Sequence, residues 1–121
     1  LIQGSGYEVD QIVSKVQELG GLAILAHVDR PSFSFPVALG PMPIDYPADA
    51  FELSCRMGSE QAAKWRADYP GRTFIRSSDS HTLDTLSREN CTKMMLEEPT
   101  FEEIKKALRG EDGRRVSWPW G

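Results

Sequence analysis

Gly20-Gly21-Leu22-Ala23-Ile24-Leu25-Ala26-His27 joins a glycine turn, an apolar run and a histidine. The apolar run is too short for a helix and reads as a strand covered on both faces. Before it, Val9, Ile12, Val13, Val16 and Leu19 recur at helical spacing, with Asp10, Lys15, Gln17 and Glu18 on the opposite face. Gly20-Gly21 supplies the left-handed stop of that helix. Helix, tight turn, buried strand is one unit of an α/β fold with a parallel sheet. His27 stands where the strand ends.

The same grammar repeats downstream. Asp49 to Ser54 is a second strand candidate, and Ser59 to Tyr69 a helix with Ser59 as its cap, stopped by Pro70-Gly71. Thr73 to Arg76 is a third strand. It runs into Ser77-Ser78-Asp79-Ser80-His81, a polar loop at the strand's C-terminal end. Leu83 to Leu86 suits a helical turn, and Lys93 to Leu96 a fourth strand. Thr100 and Glu103 form a capping box for a helix through Ile104, Ala107 and Leu108 that ends at Gly110. Arg114 to Trp118 suits a last short strand. Between Val28 and Ala48, Pro31, Pro36, Pro41, Pro43 and Pro47 rule out a regular helix or central strand. In that loop Phe33, Phe35, Val37, Leu39 and Met42 either form a lid or pack on the nearest helix.

The bulk composition narrows the classes. A chain of 121 residues, 40% hydrophobic and 26% charged, suits a single domain over 1–121. A net charge of −4 argues against a dedicated nucleic-acid coat. No apolar run is long enough to span a bilayer, and no signal-peptide pattern is present, so a cytoplasmic protein without membrane partners is expected. Cys55 and Cys91 form no C-x-x-C pair and read as reduced thiols. The chain starts at Leu1 and stops on Trp118-Pro119-Trp120-Gly121, which leads us to expect a piece of a longer or processed protein.

In sheets with parallel strands, sites form at the C-terminal strand ends. The first strand ends at His27, with Asp29 and Arg30 beyond. The second carries Glu52, with Ser54 and Cys55 beyond. The third has Arg76 before its end and Asp79 and His81 after it. Each residue has a plainer reading. His27 can be a hydrogen-bonded structural histidine, Glu52 an arginine's partner, Asp29 a turn residue, and Arg30 and Arg76 solvated charges. Ser78-Asp79-Ser80-His81 can be an Asx turn with a surface histidine. The chain has only two histidines, and both fall at strand ends. Two imidazoles and a carboxylate there suit zinc, manganese or iron, so His27, Asp79 and His81 are the candidate metal ligands.

Leu25-Ala26-His27 after Gly-Gly, followed by Ile75-Arg76-Ser77-Ser78-Asp79-Ser80-His81 after a strand, resembles the last two motifs of the PHP (polymerase and histidinol phosphatase) superfamily. Those motifs usually read A-H-P and G-S-D-A-H. The likeness covers the chain from about Tyr7 onward. It implies the C-terminal portion of a distorted (β/α)7 barrel with a mainly parallel sheet, holding divalent metal ions and hydrolysing phosphate esters of small molecules or nucleotides with a metal-activated water. His27, Asp79 and His81 then match metal ligands. Asp79, His81 and Arg30 are the candidate catalytic residues, with Arg30 or Arg76 on a phosphate oxygen and Glu52 or Asp29 orienting a ligand histidine.

Two departures stand out. Val28 replaces the motif proline, and the family's D-x-H-x-H strand, its glutamate and its middle histidine have no counterpart here. The expectation is half a PHP domain, inactive alone, that associates with the missing N-terminal half or with a second copy. The competing expectations are a PHP-like structural or interaction module without catalysis, and a small α/β domain with two unrelated histidines.

Overall fold

A computed structural model describes residues 4–89 and 91–120. The first amphipathic helix forms as expected. This helix, α1 (Val9–Glu18), buries Val13 and packs Val9 and Val16 on the core. Its last turn closes on glycine. Gly20 takes φ 81°, and the Gly21 amide donates to the Val16 carbonyl at 2.8 Å. A Cβ on Gly21 would lie 3.0 Å from that same carbonyl oxygen, so the turn admits no side chain there.

Three strands form one parallel sheet in the order β1 (Ile24–Leu25), β2 (Ala50–Leu53), β3 (Phe74–Arg76). Ile24 pairs with Ala50, and Phe51 with Phe74. The chain is therefore a mixed α/β protein with a small parallel sheet. The central strand is the core. Phe51 and Leu53 are wholly buried, and Ala50 nearly so. Phe51 meets Phe74 and Tyr69 edge-on, at 5.8 and 6.0 Å between centroids.

The structure corrects the expectation that the first strand is covered on both faces. It is an outer strand, and Ile24 is 40% exposed. It is also corrected that the proline-rich segment holds no helix. Phe35–Leu39 form α2, with Pro36 in the first turn. A missing N–H costs no helix bond at that position, because a first-turn amide has no intrahelical carbonyl to donate to. Phe35 and Met42 pack into the core, whereas Phe33, Val37 and Leu39 stay exposed.

Helix α3 (Ser59–Asp68) is capped by Gly58 rather than Ser59, with no side-chain cap bond. It lays Ala62 and Trp65 against the sheet. A 3₁₀ turn follows at Leu83–Thr85. The later strands, β4 (Met94–Met95) and β5 (Arg115–Val116), make a separate antiparallel pair. Thr92 ties that pair to β3, its amide donating to the Arg76 carbonyl at 3.0 Å and its hydroxyl accepting from the Arg76 amide at 2.6 Å.

Between β4 and β5 lies α4 (Phe101–Arg109), ended by Gly110 at φ 68°. Thr100 caps it as expected, accepting from the Glu103 amide. Glu103 does not reach back to close the box. Its carboxylate takes the Glu97 amide at 2.9 Å and the Arg114 guanidinium at 2.7 Å instead. Past β5, Trp118 meets Phe74 edge-on, and the Trp120 indole donates to the Met57 carbonyl at 2.9 Å. No helix among the described residues is long and apolar enough to cross a membrane.

Candidate functional site

The C-terminal ends of the three parallel strands lie side by side, and short polar side chains stitch them together. At the tip of β1, His27 takes φ 31°, a left-handed backbone that a β-carbon disfavours. Two bonds from Glu52 of β2 hold it there. The His27 amide donates to the Glu52 carboxylate at 3.3 Å, and the Val28 amide to the Glu52 carbonyl at 2.8 Å. Ser77, at the tip of β3, donates its hydroxyl to the other oxygen of the Glu52 carboxylate. One carboxylate thus joins all three tips. Asp29 adds a second stitch, accepting from the Ser54 amide at 2.7 Å and from its hydroxyl at 2.5 Å. Glu52 and Asp29 therefore bond backbone and hydroxyl groups, where the sequence suggested a histidine ring.

The loop after β3 presents the other two candidates. Asp79 also takes a left-handed conformation, φ 50°. Its carbonyl accepts from His81 Nδ1 at 2.9 Å. A carbonyl oxygen can only accept, so Nδ1 is the donor in this contact, and in the neutral ring that tautomer leaves the lone pair on Nε2. A ring locked this way is the usual form of a metal-binding histidine. The Asp79 carboxylate accepts from Arg30 Nη1 at 2.7 Å, with the two side chains 37% and 41% exposed.

Arg30, Asp79 and His81 line one cleft of about 1040 Å³ between the strand tips and α3. His27 does not line it. The His27 Nδ1 is sealed from solvent and has no hydrogen-bond partner among the described residues. Among the described residues, no three side chains of His, Cys, Asp or Glu converge closely enough to hold a metal ion. Asp79 and His81 carry donor atoms of the metal-ligand type, and the buried His27 Nδ1 is a further such atom, unpartnered among the described residues and outside the cleft. A closed three-ligand sphere of His27, Asp79 and His81 is not assembled by these residues alone.

Arg76 is committed elsewhere. Its guanidinium donates to the Cys55 carbonyl at 2.5 Å and lies 5.0 Å from the centre of the Trp120 ring. It ties the tail to the loop after β2 and does not line the cleft, and its Nε is buried without a partner among the described residues. Sequence reasoning missed the far wall of the cleft, where Arg56, Lys64 and Trp65 stand. The signal was present in α3. Gln61, Lys64, Trp65 and Asp68 recur at i, i+3, i+4 and i+7, one face of a helix, and all four line the cleft. Cys55 and Cys91 are both free thiols.

Comparison with known proteins adds one relative. The chain is 30% identical over 116 residues to the uncharacterized protein YqxK of Bacillus subtilis (strain 168), a match covering 88% of this chain and 28% of that protein. The chain thus spans little more than a quarter of the length of the curated relative it matches. No family model and no solved structure matches the chain.

Proposed function

We propose that this chain is part of a cytoplasmic, metal-dependent phosphoester hydrolase of the PHP kind, in which the β3 loop supplies metal ligands. One observation carries the reading. A carboxylate and an imidazole, those of Asp79 and His81, line the same cleft, and the His81 ring is oriented by a bond to the Asp79 carbonyl. A divalent cation held there supplies a Lewis acid that polarises a phosphoryl oxygen and acidifies water. His27, whose buried Nδ1 has no partner among the described residues, is the third ligand of the completed protein, although it does not line the cleft here. The barrel is completed, and the remaining ligands supplied, by protein beyond these residues, in keeping with a relative several times longer. The substrate class is a phosphate ester of a small molecule or nucleotide.

A second reading, a structural module without catalysis, is favoured by the Arg30–Asp79 pair, which engages one oxygen of the candidate ligand carboxylate in an ion pair. Metal analysis after dialysis against zinc or manganese separates the two. The 121-residue chain is expected to retain metal, and His81→Ala to lower the retained metal at least several-fold while leaving the melting temperature nearly unchanged. Equal metal content in the two proteins refutes the ligand role. With either protein the turnover of a chromogenic phosphate ester is expected to be negligible, since two side chains do not clamp a transferring phosphoryl group.

A further inference from the structure

The outermost strand reads like an inner one. Leu22 to Ala26 is apolar throughout and holds none of the lysines or prolines that guard a free edge, yet β1 has a neighbour on one side only. From this edge and the helix beside it, we infer that β1 takes one further parallel strand, supplied by the same polypeptide ahead of α1.

The backbone of β1 is set to receive it. Phe51 gives its amide to the Thr73 carbonyl, on the β3 side. Its register partner Leu25 therefore directs its own N–H and C=O at β2, and alternation turns those of Ile24 to the open side. Helix α1 overhangs the same side. Asp10 and Gln17 mark one of its flanks: Asp10 accepts from the Tyr46 hydroxyl at 2.9 Å, and Gln17 Nε2 donates to the Pro47 carbonyl at 2.7 Å and the Asp49 carboxylate at 3.1 Å. That flank faces the segment entering β2. Val9, Val13 and Val16 face the core. Ile12 and Leu19 follow on the opposite flank, away from β2 and past β1, where they are 40% and 78% exposed.

A helix that links two adjacent parallel strands packs across both of them. Among the described residues no strand precedes α1, and its apolar face is wider than β1 and β2 cover. A strand seated beside β1 lies under Ile12 and Leu19 on one face and next to Ile24 on the other, so it is a proline-free apolar run. The length of the relative leaves room for it, since the match covers 28% of that protein. A second copy fits less well, because a twofold axis brings two β1 strands together antiparallel, and two residues a side make few bonds. This seam involves no residue of the cleft, so losing the proposed metal site leaves it intact.

The test is residue-resolved amide hydrogen exchange on the 121-residue chain and on the longest polypeptide that its own reading frame encodes, at matched low concentration. The Ile24 amide is expected to exchange about a hundredfold more slowly in the longer polypeptide, as a ladder bond replaces water. Leu19→Asp is expected to leave the melting temperature of the short chain nearly unchanged, since Leu19 is open to water there, and to lower that of the longer polypeptide by several degrees. Sedimentation of the short chain over a range of concentrations reports the other occupant. If Ile24 exchanges equally in both, if Leu19→Asp weakens the longer polypeptide no more than the short chain, or if the frame adds no residues ahead of α1, the extra strand is overturned. Protection of Ile24 that rises in the short chain as a dimer forms, and is no greater in the longer polypeptide, overturns it too and assigns the edge to a second copy.

Discussion

Glu52 does more at this site than any residue that touches the cleft. Its carboxylate receives the His27 amide and the Ser77 hydroxyl, and its carbonyl receives the Val28 amide. It acts as a clasp between the first and third strand tips, through the middle one. Removing it leaves an amide and a hydroxyl partly buried without an acceptor. Glu52→Ala is therefore expected to cost ~1–3 kcal/mol of folding stability by urea denaturation. Glu52→Gln, which keeps one accepting oxygen, should cost less than Glu52→Ala. The residue was singled out in the sequence because it sits near a strand end, but its partners were not legible. Ser77 and His27 lie 25 residues away on either side, and only strand order brings them together. The same holds for Arg30 and Asp79, which are 49 residues apart. Spacing within a motif shows which residues share a loop. It does not show that an arginine from another loop already holds the carboxylate.

Individual elements were more readable, because their signals are local. Apolar residues at helical spacing, a closing Gly-Gly and a threonine cap each act within a few residues, and α1, its turn and α4 follow from them. The short helix α2 was hidden because Pro36 counts against helices everywhere except in their first turn. The exposure of β1 was hidden because nothing in Ile24-Leu25 says which strand lies outermost. The capping box of α4 is instructive. Glu103 was expected to face its own helix start, yet the Arg114 guanidinium and the Glu97 amide claim it. The Arg114 hydrogen bond, then that amide, outweigh desolvation, and with help from Lys106 they hold the Glu103 carboxyl down from 4.5 to about 2. A depressed carboxyl stabilises the fold above its unfolded pKa and stops doing so as pH falls through its folded value. The contribution of Glu103 is thus expected to fade between pH 4.5 and about 2. Denaturation midpoints of the parent and Glu103→Gln should differ at pH 7 and converge across that window.

At the scale of the whole molecule, stability rests on few large side chains. Phe51 is fully buried at the crossing of β2, β3 and α3. Phe51→Ala is expected to cost ~3–5 kcal/mol in a chemical-denaturation measurement. A domain of this size has ~5–15 kcal/mol in total, so the variant should sit close to unfolding at ambient temperature. The general class, an α/β chain with parallel strands ending in polar loops, was legible because two helix-and-strand units, α1–β1 and α3–β3, announce themselves in order. What closes the sheet beyond β1 was not, since a free strand edge leaves no mark in its own sequence.

The last two indoles touch both the hydrophobic centre and the loop after β2. Trp118 and Trp120 stand 4.9 Å apart at a 45° tilt, with Trp120 bonded to the Met57 carbonyl and Arg76 resting on its ring. Two identical chromophores so close and so inclined share their electronic excitation and give a split circular-dichroism band whose size follows their mutual angle. Because Trp120 is anchored to Met57, which lines the cleft, a shift of that loop is expected to change the size of the band, readable with no dye attached.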